Sequence, residues 1–398
     1  MISLKSFGSQ WFSSITVAGI SALLAFTLGR LLGPSGFGAY SYVLTIASLY
    51  AILQDGGFRV LIYRETSFPT FKTIAPKLVP IALGQNMLVT LIGIGIVFIF
   101  PFDSKFILTL SIISFGLGTT TTFFSSQIKG EGQFEIDAKW KILVRILTAT
   151  TILVLALLIE PTLQWIFIGS IIGYCVSLAF RPSKCFLKLQ FKKLDSKLYK
   201  SLVALLLIDI GTLLYFKIDL VMLSHLGVEL DEIGYYAAVS RMMEGLIFIH
   251  VPFATVLFRE FRVRAGANRG NVQFVFRFFL LAFLPPLIII PLGITFSENI
   301  LLYSFGVEYQ HSYPILNVLL FAFIFMSPSL ILTQTIIAIN REHFYAIGTL
   351  VAAAVNIGLN FYFIPAYGTK GAAYGTIATE AFLMVYIGVG IILYNQRK

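Results

Sequence analysis

Apolar stretches of similar length recur along this chain and are separated by short polar segments. A membrane-spanning helix needs about 20 mostly apolar residues, and twelve candidate spans can be placed on that basis. These spans are 11–32, 38–58, 79–100, 106–127, 142–159, 162–180, 201–223, 235–257, 274–295, 314–337, 343–364 and 371–394. The pattern predicts an all-α integral membrane protein with about 12 transmembrane helices.

The longest polar interruption lies at the centre, at 181–200, and reads RPSKCFLKLQFKKLDSKLYK. Leu187, Phe191, Leu194 and Leu198 recur there at helical spacing among lysines, which favours a basic amphipathic helix on an anionic membrane surface. A solvated loop with a chance apolar face is the alternative. The chain therefore divides into a six-helix bundle at 1–180, a basic amphipathic cytoplasmic linker at 181–200, and a second six-helix bundle at 201–398.

The two halves share short motifs at similar positions. Gly38-Ala39-Tyr40 opens the second predicted span, and Gly234-Tyr235-Tyr236 opens the eighth. The motif KGEGQF at 129–134 follows the fourth span, and NREHF at 340–344 follows the tenth. Since each half has an even number of spans, the pattern indicates parallel repeats related by an axis along the membrane normal.

Composition and charge agree with a membrane location. Hydrophobic residues make up 57% of the chain and charged residues 12%, whereas a soluble protein has about 25% charged residues. With the N-terminus in the cytoplasm, 24 of the 29 lysines and arginines lie on the cytoplasmic side, three lie outside and two lie within the membrane. This asymmetry follows the positive-inside rule, predicts that both termini are cytoplasmic, and explains the net charge of +10 without a nucleic-acid partner.

Candidate redox and metal chemistry is sparse. The two cysteines and four histidines show neither a disulfide framework nor metal-ligand spacing. No nucleophile–base pair or phosphate-binding glycine loop is evident, and the longest outer loop, 296–313, is short. We therefore expect no metal, no cofactor and no enzymatic activity.

Small residues mark predicted turns and helix contacts. Gly33 and Pro34 lie in a tight turn between the first two spans, where a positive φ and a preset bend are expected. Gly169 and Gly173, and likewise Gly371 and Gly375, have the spacing that lets helices approach closely. Such spacing also occurs by chance in glycine-rich helices.

Motifs in the first and last hairpins resemble those of one transporter family. The first hairpin carries GRLLGPSGFGAY at 29–40, then DGGF at 55–58 and Arg64-Glu65. The last hairpin carries Asn356, Asn360, Ile364-Pro365, Gly368, GAA at 371–373 and Glu380. These motifs are similar to those of the polysaccharide biosynthesis, or O-antigen flippase, family of the multidrug/oligosaccharidyl-lipid/polysaccharide exporter (MOP) superfamily. The first half departs from the closing pattern, because 148–155 contains no asparagine.

The resemblance implies a fold and a function. The fold is two six-helix bundles around a central cavity, and the function is translocation of an undecaprenyl-pyrophosphate-linked oligosaccharide from the cytoplasmic to the outer leaflet by alternating access. The implied location is the bacterial cytoplasmic (inner) membrane. We expect a monomer, with a polysaccharide polymerase and a chain-length regulator of the same pathway as partners. The alternatives are a multidrug cation exporter of the same superfamily and, less favoured, a membrane-embedded polymerase or glycosyltransferase.

Charged residues within the predicted spans are the candidates for function, because such charges cost several kcal/mol and tend to face cavities or partners. They are Asp55, Asp209, Lys217, Asp219, Arg241, Glu244 and Glu380. Lys217 and Arg241 come at similar depth in the outer half, given a rise of about 1.5 Å per residue.

Two interpretations of these charges stay open. Lys217 and Arg241, together with Arg30, are candidates for binding the substrate pyrophosphate, since arginine suits bidentate phosphate contacts. Alternatively, Lys217, Arg241 and Glu244 form a structural ion network with Asp219. Asp209 is the first candidate and Glu244 the second for ion coupling, with a structural role as the alternative for each. Asp55 is expected to form a helix-end ion pair with Arg59.

Overall fold

A computed structural model of the chain describes residues 4–67, 75–101, 104–182, 188–191, 195–247, 272–339 and 341–396. Regular structure within these ranges is helical, which confirms the predicted all-α fold. The first half contains α1 (Leu4–Asp55), α2 (Phe58–Ser67), α3 (Ala75–Ile99), α4 (Lys105–Gly130), α5 (Phe134–Leu158) and α6 (Leu163–Ala179). The second half contains α7 (Ser196–His225), α8 (Leu230–Ile247), α9 (Val272–Leu281), α10 (Leu284–Thr295), α11 (Ser297–Ser304), a 3₁₀ helix (Val307–Ser312), α12 (Tyr313–Ala338), α13 (Glu342–Tyr367) and α14 (Thr369–Gln396).

The helices follow the predicted spans. In the part of the chain that the structure describes, nine helical segments are long and apolar enough to cross a membrane, and α6 is a shorter apolar helix. α1 covers the first two predicted spans, and α9 with α10 covers the ninth. α8 covers the eighth span as far as Ile247; the rest of that span and the arginines at 259–269 lie outside the described residues.

α1 is interrupted at its midpoint. Gly33 has φ 67° and ψ 177°, and Pro34 follows it. A residue with a side chain rarely adopts this φ, and proline lacks the N–H that would continue the helical ladder. The predicted bend between the first two spans is therefore confirmed at Gly33.

The chain forms two compact units. Unit 1 comprises Met1–Leu32 and Val43–Ile210, and unit 2 comprises Gly33–Tyr42 and Gly211–Lys398. In unit 1, Phe58 and Leu61 of α2 pack with Phe123 of α4 and Leu202 of α7 in one buried apolar cluster. The first part of α7 thus belongs to the core of unit 1, and its second part belongs to unit 2.

The central linker differs from the predicted amphipathic helix. Residues 188–191 are not helical, and α7 begins only at Ser196; residues 183–187 and 192–194 lie outside the described residues. The Gln190 N–H donates to the Pro80 carbonyl oxygen of α3 at 2.9 Å. Because this backbone group bonds to another helix, the helical interpretation is wrong over 188–191. The linker passes close to Gly84, where a side chain would meet the Gln190 carbonyl oxygen at 2.5 Å.

Glycines bring two helix pairs into close contact. In unit 1, a Cβ on Gly173 of α6 would lie 2.5 Å from Thr148 Cα of α5, and one on Gly169 would lie 2.8 Å from Ile152 Cα. In unit 2, a Cβ on Gly371 of α14 would overlap the Phe363 carbonyl oxygen of α13, and one on Gly375 would overlap the Asn360 side chain. The predicted close approach at both glycine pairs is confirmed.

Gly371→Ala is expected to destabilise the protein by about 1–3 kcal/mol, because the added methyl group would meet backbone atoms that cannot turn aside. Gly358→Ala in α13 is the matched control. A Cβ there meets nothing within 4 Å, so alanine should be neutral or stabilising by up to about 1 kcal/mol. Melting temperatures of the purified variants in detergent measure the difference. Equal melting temperatures for the two variants would contradict the close contact.

Candidate functional site

Three charged side chains of α7 and α8 meet in unit 2. The ammonium group of Lys217 forms an ion pair with Glu244 Oε1, and Arg241 Nη1 donates to Glu244 Oε2 at 3.0 Å. Arg241 and Glu244 lie one turn apart on α8, so they share a face. We call Lys217, Arg241 and Glu244 the Glu244 triad.

The Glu244 triad carries one positive charge in excess, since two cations share a single carboxylate. The side chains of Lys217, Arg241 and Glu244 are 19%, 28% and 38% exposed. They are therefore partly desolvated, which strengthens the electrostatic interactions among them. A guanidinium and an ammonium placed together suit an anionic group such as a phosphate.

The sequence suggested an ion network that included Asp219. Among the ion pairs of the described residues, none joins Asp219 to this triad, although Asp219 acts electrostatically on Lys217. Asp219 lies two residues after Lys217, so its side chain points to another face of α7. It is 6% exposed, and it accepts hydrogen bonds from Tyr236 Oη at 2.8 Å, Thr376 Oγ1 at 2.9 Å and Asn360 Nδ2 at 2.7 Å. These partners come from α8, α14 and α13 and are all neutral.

Asn360 links Asp219 to a second buried amide. Asn360 Nδ2 also donates to Asn356 Oδ1 at 2.9 Å, while Asn360 Oδ1 is buried and accepts no hydrogen bond. A carboxylate, amide oxygens and a hydroxyl are hard oxygen ligands, which suit a proton or a small hard cation. Sequence reasoning gave Asn356 and Asn360 no role; their i, i+4 spacing in an apolar helix was the available signal.

Glu380 lies one turn after Thr376 on α14 and is buried. It accepts a hydrogen bond from the Tyr215 hydroxyl, and Tyr215 in turn lies one turn before Asp219 on α7. α7 and α14 thus place two buried acids one turn apart, each with a hydroxyl partner from the other helix. Within the described residues, no group of three or more histidines, cysteines, aspartates and glutamates is arranged to hold a metal ion.

Asp209 and Arg30, the other sequence candidates, belong to unit 1. Asp209 accepts from Arg59 Nη2 at 3.3 Å. The predicted ion pair between Asp55 and Arg59 is replaced by a backbone contact, because Asp55 Oδ1 accepts the Arg59 N–H at 3.2 Å while the guanidinium turns to Asp209. Arg30 is exposed on α1, three residues before the break at Gly33.

Charged residues within membrane-spanning helices often mark the pathways of substrates and ions. Comparison with known sequences identifies the family of this chain. A family described as polysaccharide biosynthesis protein matches residues 3–258, more than half of the chain. The chain belongs to this family. The predicted resemblance to the polysaccharide biosynthesis family is therefore confirmed. Among curated protein sequences, none matches the chain significantly.

Solved structures of MOP superfamily members share the fold of this family member. A lipid II flippase MurJ in an inward closed conformation matches with a TM-score of 0.69 and 15% identity, covering 98% of this chain and 87% of that one. An inward-facing multidrug resistance MATE family transporter matches with a TM-score of 0.75 and 14% identity, covering 94% of each chain. A MOP superfamily transporter from Pyrococcus furiosus matches with a TM-score of 0.66 and 14% identity, covering 99% and 95%. At these identities the likeness concerns the fold, which is that of flippases and transporters.

Glu244→Gln is expected to lower stability more than Arg241→Gln does. Loss of the carboxylate leaves Lys217 and Arg241 repelling each other and should cost about 2 kcal/mol, between the values for exposed and buried pairs. Arg241→Gln keeps the pair of Lys217 with Glu244 and should cost about 1 kcal/mol or less. Melting temperatures in detergent provide the ranking, with the exposed Glu160→Gln in unit 1 as a control. If Glu244→Gln and Arg241→Gln had the same melting temperature, Glu244 would not be the counter-ion that Lys217 and Arg241 share.

Proposed function

We propose that the protein is a flippase that moves a lipid-linked oligosaccharide, carried on undecaprenyl pyrophosphate, from the cytoplasmic to the outer leaflet by alternating access. The substrate is the O-antigen or a related surface-polysaccharide repeat unit. The protein works in the bacterial cytoplasmic membrane as a monomer with cytoplasmic termini. A polymerase and a chain-length regulator act on the product. No covalent step is required, so the protein is not an enzyme.

The observation that carries this proposal is the excess positive charge of the Glu244 triad in a member of a polysaccharide biosynthesis family. The pyrophosphate is the strongly anionic part of such a substrate. Lys217 and Arg241 are the residues proposed to attract it, because each keeps donors beyond those given to Glu244. Arg30 is a third candidate through its charge and exposure.

The alternative function is export of cationic drugs, which the fold of the MATE family transporter supports. A site for cations would benefit from unpaired carboxylates and would be disfavoured by the two cations of the Glu244 triad. Asp219 and Glu380 are the acids that favour this alternative, since both are buried among neutral partners.

The proposal predicts that the protein restores surface polysaccharide in a bacterium whose own flippase gene is deleted and clears lipid-linked repeat units from the inner leaflet. Arg241→Ala should lose at least about tenfold of this activity at equal expression, since one charge-assisted contact to phosphate is removed. Lys370→Ala, which removes an exposed lysine at the start of α14, is the matched control. Hosts with several different repeat units must be tried.

Two results would overturn these assignments. Full activity of Arg241→Ala at normal expression would remove Arg241 from substrate binding. Failure in every host, together with efflux of cationic dyes, would place the protein among the drug exporters.

Ion coupling fits Asp219 better than the two acids suggested by the sequence. Asp209 is paired with Arg59, and Glu244 is paired with two cations, so both are already neutralised. Asp219 has neutral partners and lies beside the unpartnered Asn360 Oδ1. A proton or a monovalent cation would complete this group of oxygens.

Asp219→Asn should therefore abolish the response of transport to an imposed proton or sodium gradient in proteoliposomes, whereas Asp209→Asn should keep it. The amide preserves the shape of Asp219 but removes the charge that a cation or proton compensates. Transport of the lipid-linked saccharide is followed with each gradient applied separately. Retained gradient dependence in Asp219→Asn, with loss in Asp209→Asn, would reverse the assignment.

A further inference from the structure

A lysine in the last turn of α4 has surroundings that the proposed role of the Glu244 triad does not explain. Lys129 belongs to the KGEGQF motif and lies with its ammonium group 5.8 Å from the centre of the Tyr63 ring on α2. Gly130 allows a close approach of α2 here, because a Cβ on Gly130 would lie 2.5 Å from Thr66 Cβ and 3.1 Å from the Tyr63 carbonyl oxygen. The ends of α2 and α4 therefore pack directly against each other within unit 1.

The charges around Lys129 are mostly of its own sign. Lys141 and Arg59 both act on it electrostatically, and Asp137 is the acid that opposes them. Asp137 is fully buried and already accepts from Lys141 at 2.8 Å, Ser125 at 2.5 Å and Gln10 at 2.9 Å. Among the ion pairs of the described residues, none includes Lys129.

Two side chains on the neighbouring helices α2 and α5 have buried donors without a partner. Thr66 Oγ1, next to Gly130, is buried and makes no hydrogen bond. Arg145 lies one turn after Lys141 on the same face of α5, and its Nε is buried without a partner. Buried donors and a cation without a counter-ion are costly unless something compensates them. An anion with several oxygens beside Lys129 would supply the missing counter-ion and an acceptor for the nearby Thr66 hydroxyl.

We propose that Lys129, supported by Lys141 and Arg59, forms a docking site for the diphosphate of the lipid-linked substrate at the end of unit 1 that the positive-inside rule assigns to the cytoplasm. This inference rests on the proposed flippase function and adds a first contact made before the substrate reaches the Glu244 triad. The shared chemistry is a phosphate-bearing lipid headgroup. A diphosphate is favoured over a phospholipid phosphodiester, because Lys141 and Arg59 add positive potential at Lys129, which suits a compact group with more than one negative charge.

The test measures binding of farnesyl diphosphate to the purified full-length protein in detergent. Lys129→Ala should weaken binding about tenfold, and Lys129→Arg should recover most of it because the charge is kept. Lys139→Ala is the matched control, since Lys139 is an exposed lysine of the same helix as Lys141 and should bind normally. Size-exclusion profiles and melting temperatures of each variant show that the comparison concerns folded protein.

Competition experiments distinguish a diphosphate from the other phosphate-bearing lipids. Farnesyl phosphate and nanodiscs rich in phosphatidylglycerol should compete at least about tenfold more weakly than farnesyl diphosphate. Equal competition by phosphatidylglycerol would overturn the diphosphate assignment and make Lys129 a contact for the anionic leaflet. Unchanged binding by Lys129→Ala would overturn the site itself.

The outcome is separable from that of the proposed function. If the native protein bound farnesyl diphosphate through Lys129 but restored no polysaccharide in any host, the flippase function would fail while the diphosphate site stood. If the protein restored polysaccharide and Lys129→Ala bound and transported normally, the docking site would fail while the flippase function stood.

Discussion

The polar interior of unit 2 depends on the close contact between α13 and α14. Gly371 and Gly375 leave no side chain between the two helices, so α13 approaches until Asn360 lies against α14. Asn360 can then reach Asp219 on α7, and Asp219 can receive Thr376 from α14. A bilayer provides no hydrophobic force between helices, so such contacts rely on small residues and on hydrogen bonds across the interface.

The carboxylates within the helices differ in the charge of the groups that they contact. Glu244 has two cations, Asp209 has one, and Asp219 has three neutral donors. A carboxylate with cation partners is already neutralised and serves to hold those cations in place. A carboxylate whose partners are neutral donors is stabilised by hydrogen bonds alone, so carboxylates of the same chain differ in what compensates their charge.

The sequence predicted the features that follow from local constraints. Membrane spans depend on length and apolarity, and the break at Gly33 depends on the conformational freedom of glycine, so both were predictable. The prediction of a helix in the linker was wrong over 188–191, because the Gln190 N–H donates to a carbonyl oxygen of α3. Hydrophobic periodicity does not reveal such a partner. The neutral partners of Asp219 were missed for a similar reason, since they come from three different helices. The family was recognisable because its motifs are contiguous.

The helices α1 and α7 are each divided between the two units, but their backbones differ where they are divided. The chain passes from unit 1 to unit 2 at Gly33, returns to unit 1 at Val43 and enters unit 2 again at Gly211. At Gly33 the helix is already broken, whereas α7 continues through Gly211 with its helical ladder intact. Broken backbone hydrogen bonds are not replaced by water inside a bilayer. These two positions therefore differ in their backbone: the helical hydrogen bonding of α1 is interrupted at Gly33, whereas that of α7 is continuous through Gly211.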